Sequence, residues 1–274
     1  MGAIVFSFVG YAGTFYFFTA ILVAGCFATM IVLPAQADLP EPRANGLEEM
    51  DMLTVQGNVT VMQILRCRSA LLILMCLMFI EIFAFFYEPV LAIRLETGFE
   101  MDSNNIGYVF AVAGVTYGFG AVMVGQICNK TNRKYLVLTG FLILSLGMFL
   151  FGPSKTMGFP NDLKVLMSGF GLIGLSLAFV TIPVIPEVLD TVTEMYHKEN
   201  IASAKLNDRV AGLNATFLGL GQMIAPILGG SLVDSLGFKA ATDTIAICSL
   251  FVAVVYFCAL ILPGLLHVSE AELF

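Results

Sequence analysis

The sequence predicts an all-α fold, a polytopic bundle of transmembrane helices with seven spans. The chain of 274 residues is 58% apolar and 12% charged, whereas a soluble domain is typically about 45–50% apolar and ~25% charged. Its mean hydropathy is +0.91. The apolar residues form long continuous runs, while the strands of a membrane barrel would alternate apolar and polar residues. The runs therefore favour helices.

Six of these runs carry no charged residue, and a seventh carries two glutamates. A helix of ~20 apolar residues is long enough to cross the ~30 Å hydrocarbon core of a bilayer. We therefore predict seven spans. In chain order they are 11–34, 69–93, 106–128, 135–152, 165–186, 210–233 and 244–266.

The first span is expected to stay in the mature protein, because the first basic residue is Arg43 and a cleaved signal peptide needs a basic start. The longest connection, 35–63, has five acidic residues against Arg43 alone and is expected to be a solvated linker. With seven crossings, nine of the 13 lysines and arginines fall on one side of the membrane. That side is predicted to be cytoplasmic by the positive-inside rule.

Composition and spacing exclude several classes of function. No basic patch suggests a nucleic acid partner. Both histidines lie outside the spans, and no nucleophile and base are paired, so no enzyme is expected. The six cysteines lack metal-ligand spacing and are expected to be packing residues, so neither a metal nor a cofactor is predicted.

Glu88, considered together with Glu81, is the principal candidate for a functional residue. Both lie in the apolar run 69–93 and are seven residues apart, so on one helix they would lie near the same face. Placing an ionisable side chain inside a membrane helix costs at least ~2.5 kcal/mol of insertion free energy, so such a residue indicates a functional site. Phe83, Phe85 and the pair 86–87 could add cation–π contacts.

A short internal repeat links the start of the chain to a later segment. Residues 1–11 (MGAIVFSFVGY) match residues 228–238 (LGGSLVDSLGF), and an apolar helix follows each copy. The aligned pairs are Gly2 with Gly229, Gly10 with Gly237, and Tyr11 with Phe238. Repeats of this kind build transporters from two related halves.

Three segments within or at the ends of spans are rich in glycine, proline or basic residues. Segment 125–134 (GQICNKTNRK) has a glycine and then basic residues, segment 219–230 (GLGQMIAPILGG) is rich in glycine around a proline, and segment 183–187 (PVIPE) follows a glycine-rich span. The pair Glu88-Pro89 is a fourth motif.

With these motifs the chain resembles the major facilitator superfamily, specifically its drug:proton and vesicular amine/polyamine antiporter branch. The resemblance covers nearly the whole chain. It implies a partial fold of that family with four parts. These are 1–34, the end of helix 5 and helix 6; 35–66, an acidic cytoplasmic linker; 67–266, a complete C-terminal six-helix half; and 267–274, a cytoplasmic tail.

The resemblance implies transport of a small organic cation, of the amine or polyamine type, in exchange for protons by alternating access. The partners are then the bilayer, the cation, protons and a possible missing N-terminal half. The monoamine carriers of this branch have further acids in helices 10 and 11, whereas the aligned positions here are Thr181 and Ala215, beside Asn214. This difference favours a polyamine or another organic cation over a monoamine. The implied substrate or proton residues are Glu88, Glu81, Thr181 and Asn214. The implied gating or packing residues are Gly125, Arg133, Lys134, Pro183, Pro186, Gly219, Gly221, Pro226, Gly229 and Gly230.

Two alternatives stay open at this point. The chain could be a truncated, non-transporting membrane protein or a fragment of a twelve-helix transporter, because substrate sites in such transporters lie between the halves. A seven-helix receptor also fits the number of spans, but the repeat and the glycine–proline helix argue against it. The organelle is left open among vesicle, vacuole and plasma membrane.

Overall fold

The computed structural model describes residues 2–32, 60–154, 157–196 and 203–263, and the regular elements in these ranges are helices. Met1, most of the acidic segment and the tail 267–274 lie outside them, and so do the expectations for those parts. The helices are α1 Gly2–Val32, α2 Val61–Arg66, α3 Arg68–Phe85, α4 Glu88–Phe99, α5 Ser103–Ile127, α6 Arg133–Phe151, α7 Leu163–Tyr196, α8 Ser203–Leu236 and α9 Phe238–Tyr256, which continues as a π-helix over Phe257–Ile261.

Seven segments of the described chain are long and apolar enough to cross a membrane. They are Ala12–Ile31, Arg68–Phe99, Asn105–Ile127, Arg133–Phe151, Leu163–Met195, Leu206–Leu236 and Phe238–Ile261. Each overlaps one predicted span, so the all-α fold with seven spans is confirmed. The protein is a multi-pass membrane protein.

The second span is broken, contrary to the expectation of one helix carrying both glutamates. α3 ends at Phe85, residues 86–87 form a turn, and α4 begins at Glu88. Pro89 has no N–H to bond the carbonyl of Phe85 four residues earlier, so the ladder of backbone hydrogen bonds is interrupted there. The helix-face argument therefore does not hold across the break.

α7 corrects a second expectation, that the helix ends at segment 183–187. It continues through Pro183 and Pro186 to Tyr196. Val184, Val188 and Val192 are fully buried and recur every four residues, so they form one packed stripe on the helix. This packing holds the helix together where each proline removes one backbone hydrogen bond.

α7 is the central helix of the bundle. It packs most extensively against α6 and also contacts α5 and α3, while α3 packs against α8 and α6 against α9. The α6–α7 contact is close because Gly147 faces Gly169, where a Cβ would lie 2.6 Å from the Gly147 carbonyl oxygen. Small residues let membrane helices approach in this way.

The helices differ strongly in how much of their surface the bundle covers. About three-fifths of the apolar window of α3–α4 is buried (61%), and half of that of α6 and α7 (50% each). The corresponding values are 17% for α8, 11% for α5 and 0% for α1, which packs against α5. α1, α5 and α8 therefore present largely uncovered apolar surfaces.

The internal repeat extends to backbone conformation. Gly10 interrupts α1 with a φ of 74°, and Gly237 precedes α9 with a φ of 77°. A positive φ is readily adopted only by glycine. Both glycines therefore mark the same kind of junction between an incoming and an outgoing helix.

The predicted linker 35–66 is not wholly solvated at its end. The short helix α2 occupies residues 61–66, and Ile64 within it is fully buried in the main core. Gln63 accepts a hydrogen bond from the Thr60 backbone N–H (2.7 Å), which caps the start of this helix. The last residues of the linker thus belong to the bundle.

Candidate functional site

A cavity of about 420 Å³ lies where α3, α4, α5, α7 and α8 meet. We call it the central cavity. Its lining residues are Glu81, Phe85, Tyr87, Glu88, Phe110, Ala113, Gly114, Tyr117, Leu177, Thr181, Leu218 and Gln222. Three of the four residues predicted to bind substrate or protons, Glu88, Glu81 and Thr181, are therefore brought together.

Glu81 lies on α3 and is 3% exposed. The Nε2 of Gln222 on α8 donates a hydrogen bond to Glu81 Oε2 at 3.0 Å. Taking a carboxylate out of water is costly unless it is paired or hydrogen-bonded. The amide of Gln222 supplies part of that compensation from a neighbouring helix.

Glu88 is in the first turn of α4 and is exposed on the cavity side of the bundle. An acid in the first turn is favoured by the positive end of the helix dipole. Within the described part of the chain, no lysine or arginine forms an ion pair with Glu88 or lines the cavity. Glu88 is thus a carboxylate without a fixed counter-ion.

Aromatic side chains form one wall of the cavity. Phe85 and Tyr87 come from the α3–α4 break, and Phe110 and Tyr117 come from α5. Tyr87 is held by edge contacts, with its ring centroid 4.9 Å from that of Phe170. Aromatic faces attract organic cations, each by ~0.5–2 kcal/mol.

The other two aromatics singled out in the sequence, Phe83 and Phe86, are buried and do not line the cavity. The break after Phe85 turns Tyr87 and Glu88 toward the cavity together. The helix break therefore selects which of these side chains can meet a ligand.

Two glycines of α8 form its contact with α3. A Cβ at Gly221 would lie 2.6 Å from Glu81 Cβ, and one at Gly229 would lie 1.7 Å from the Phe86 carbonyl oxygen. Gly219 and Gly230 have no such neighbour within 4 Å. The glycine-rich segment of α8 therefore has one face packed tightly against the cavity wall and one face that is open.

Thr181 and Asn214 have different surroundings. Thr181 lines the cavity while its Oγ1 donates to the Leu177 carbonyl oxygen (2.8 Å), which leaves the hydroxyl oxygen as an acceptor. Asn214 is not among the lining residues, and its Oδ1 is buried without a hydrogen-bond partner. The structure does not bring Asn214 to the cavity.

A second, polar site lies at the predicted cytoplasmic end, between the start of α6 and α7. Arg133 pairs with Asp190, and Lys134 Nζ lies 3.9 Å from Glu187 Oε1. We call these four residues the ion-pair end. Glu187 is 6% exposed and is therefore the buried acid of this cluster.

The start of α6 is capped by a residue of segment 125–134. Asn132 accepts a hydrogen bond from the Lys134 backbone N–H at 3.1 Å. Gly125 has open space around it in the structure. Arg133 and Lys134 of this motif are placed to join α6 to α7.

Sequence reasoning missed several cavity residues, among them Gln222, Phe110 and Tyr117. The signal for Gln222 was present, since it is an uncharged polar residue within an apolar span and follows Gly221. Its pairing with Glu81 could not be read from the sequence, because the two residues are 141 positions apart.

Comparison with known proteins identifies a family. Residues 1–204 match the sequence profile of the Major Facilitator Superfamily. The chain is 24% identical over 243 residues to the MFS-type transporter SLC18B1 of Mus musculus. The aligned region covers 88% of this chain and 49% of the mouse protein. It is 28% identical over 158 residues to the protein of the same name from Homo sapiens, covering 57% of this chain and 34% of the human protein.

A bacterial protein is also similar. Multidrug resistance protein 1 of Bacillus subtilis is 25% identical over 134 residues, which cover 49% of this chain and 30% of the bacterial protein. The chain thus spans about half the length of the mouse relative and about a third of the human and bacterial ones.

Proposed function

The chain belongs to the Major Facilitator Superfamily, a family of membrane transporters and not of enzymes, and we propose that it carries a small organic cation, of the amine or polyamine type, across the membrane in exchange for protons. The observation that carries the proposal is the central cavity. Two carboxylates and an aromatic wall line it, and among the described lining residues there is no basic side chain.

Glu88 is assigned to cation binding. It lines the cavity, is exposed to it and has no ion-pair partner in the described chain. A carboxylate attracts a cation most strongly where no basic side chain of the protein competes for it. Binding of the cation at Glu88 and binding of a proton within the same cavity exclude each other, which couples the two fluxes.

The remaining lining residues are assigned to recognition. Phe85, Tyr87, Phe110 and Tyr117 provide aromatic faces for an ammonium group and its methylene chain. The Thr181 hydroxyl oxygen accepts a hydrogen bond from a second amino group. This combination suits a flexible aliphatic amine better than an anion or a sugar.

The movements needed for alternating access are assigned to the contact between α3 and α8 and to the ion-pair end. Pro226 lies between the close contacts at Gly221 and Gly229, so α8 lacks one backbone hydrogen bond where it packs on the cavity wall. Local weakness of this kind lets a helix bend. The pairs Arg133–Asp190 and Lys134–Glu187 would hold the other end of the bundle closed.

The relatives support the transport class. Two are named MFS-type transporters and one a multidrug resistance protein.

Uptake into proteoliposomes tests the proposal. The purified chain is reconstituted, a pH gradient is imposed, and a panel of radiolabelled amines that includes spermidine is offered. Uptake that needs the gradient supports proton exchange. Glu88→Gln should abolish it, whereas Glu96→Gln, an exposed acid on the same helix outside the cavity, should not. Equal uptake by the wild type and Glu88→Gln would contradict the assignment.

A second candidate function is cation binding without translocation. The chain spans 49% of the mouse relative, and α5 and α8 leave most of their apolar surface uncovered. In transporters of this type the substrate site lies between two halves. Specific binding of an amine that depends on Glu88, without uptake in the same proteoliposomes, would favour this candidate.

A further inference from the structure

Gln222 occupies a position that connects the two carboxylates of the central cavity. Its side-chain amide donates to Glu81 Oε2 at 3.0 Å, and the residue is itself exposed and lines the cavity together with Glu88. A primary amide has an NH₂ donor on one side and a carbonyl acceptor on the other. While one side is turned to Glu81, the other is turned away from it.

The chemistry of the pair allows two arrangements. When Glu81 is ionised it can only accept, so the Gln222 NH₂ faces it and the amide oxygen is available to the cavity. When Glu81 carries a proton, its O–H can donate to the amide oxygen, and the NH₂ then faces the cavity. No proton or electron is left over in either arrangement, because the proton stays on Glu81 and only the amide turns.

Among the described residues around Glu81, few other groups could compensate its negative charge. α4 contributes Glu88 to the cavity, the α3–α4 break contributes Tyr87, and α5 contributes Tyr117. The described lining residues of α7, Leu177 and Thr181, are not titratable.

Two further groups belong to the helices packed around α3. On α9, Tyr256 is 2% exposed, and Cys76 of α3 is 5% exposed. Neither lines the cavity. Within the described chain, Gln222 is therefore the side chain that compensates Glu81 with a hydrogen bond.

The backbone around Gln222 permits the side-chain amide to turn. Pro226 has no N–H for the main-chain carbonyl of Gln222, four residues earlier, so this turn of α8 lacks one hydrogen bond. On the other side, Gly221 is held against Glu81 Cβ and the Met78 carbonyl oxygen. Gln222 thus lies between a fixed contact with α3 and a weakened turn of α8.

We propose that Gln222 is a positioning residue that transmits the protonation state of Glu81 to the cation site by turning its side-chain amide. With Glu81 ionised, the amide oxygen joins Glu88 as an acceptor for an ammonium group. With Glu81 protonated, the NH₂ group faces the same place and opposes a cation. The inference rests on the proposed cation transport and adds a means by which proton and cation exclude each other.

Calorimetry in two buffers of different ionisation enthalpy tests the coupling. Spermidine is titrated into the full chain in lipid nanodiscs, and the difference in heat gives the protons released per cation bound. We expect the wild type to release about one proton per spermidine, by linkage of the two equilibria. Gln222→Met keeps the length of the side chain but loses the amide, so spermidine should still bind while the proton release is lost.

Two variants serve as controls. Gln126→Met makes the same chemical change on α5 outside the cavity and should behave as the wild type. Gln222→Asn keeps the amide on a shorter side chain that does not reach Glu81, so it should lose proton release as Gln222→Met does. Wild-type proton release by Gln222→Met, with spermidine bound, overturns the proposal.

A measurement without any cation separates this inference from the proposed function. In infrared difference spectra across a pH step, the band of the protonated Glu81 carboxyl is identified by its absence in Glu81→Gln. Gln222→Met should shift that band to higher frequency, because the protonated carboxyl loses its acceptor. A band in the wild-type position overturns the role of Gln222. Failure of the wild type to bind spermidine, with the shifted band, overturns the substrate assignment alone.

Discussion

At the ion-pair end, Asp190 and Glu187 each lie beside a basic side chain of α6, whereas in the central cavity Glu81 has an amide partner and Glu88 has no cation beside it. Both regions bring together polar groups from different helices. They differ in whether the protein itself neutralises the acids.

The difference separates acids that hold the fold from acids that are available to a ligand. A carboxylate whose counter-ion is part of the chain is already compensated and contributes to packing between α6 and α7. A cavity carboxylate without one is available to pair with a cation from outside the protein. The cavity wall is instead held by close backbone contact between α3 and α8.

The largest expected effect follows from breaking that close contact. A Cβ at Gly229 would lie 1.7 Å from the Phe86 carbonyl oxygen, so Gly229→Ala must push α8 away from the cavity wall. We expect a destabilisation of up to about 3 kcal/mol, typical of overpacking. Unfolding of the protein in detergent micelles, followed by circular dichroism, measures it.

Gly230→Ala is the matched control, because Gly230 has open space around it. It should unfold as the wild type does, or slightly later. Equal destabilisation by both variants would show that helix propensity, and not the contact with α3, decides the outcome.

The next largest effect is expected when an acid of the central cavity is neutralised, in comparison with an acid of the ion-pair end. Glu88→Gln should weaken spermidine binding at least about tenfold, which corresponds to ~1.4 kcal/mol, because this carboxylate is proposed to bind the cation. Asp190→Asn, at the ion-pair end, should leave affinity unchanged. Equilibrium binding of labelled spermidine to protein in nanodiscs measures both.

A smaller effect is expected when the buried member of the ion-pair end is neutralised. Glu187→Gln removes the partner of Lys134 while keeping the shape of the side chain, and we expect stability to change by no more than about 1 kcal/mol, because the lost attraction is offset by no longer burying a charge. Uptake should fall more than binding does, since the pair is assigned to closing that end. An equal fall in both would count against a gating role.

The smallest effect is expected at the exposed pair. The Asp190 side chain is 60% exposed, so Asp190→Asn should cost no more than about 0.5 kcal/mol. The difference from the wild type should vanish at high salt because exposed charges are screened. Thermal unfolding at two salt concentrations tests this.

Much of the fold could be predicted from the sequence because the bilayer imposes a simple rule. A span needs about twenty apolar residues in a row, and that requirement is visible without knowing which helices touch. The structure corrects two expectations, where α7 ends and whether the second span is continuous, and both depend on more than apolar length. α7 passes through Pro183 and Pro186 with a buried stripe of valines on one face, whereas the second span breaks just before Pro89, which lies in the first turn of α4, where a proline is tolerated.

The candidate site was only partly predictable. Glu88, Glu81 and Thr181 stood out as polar residues in apolar spans or through the family resemblance, and all three line the cavity. Asn214 looked equivalent but lies elsewhere. Gln222 was not singled out, since its importance depends on a contact between residues 141 positions apart.

The sequence by itself determined that the chain folds in a lipid bilayer, how many spans it has and which family it belongs to. Continuous apolar runs and short motifs are local properties of the chain. Only the tertiary structure decided which polar groups face each other. Helix packing places Gln222 against Glu81, joins Lys134 to Glu187 and leaves Glu88 without a counter-ion. The physical reason is that the cost of a buried charge depends on its neighbours in space, which are far apart along the chain.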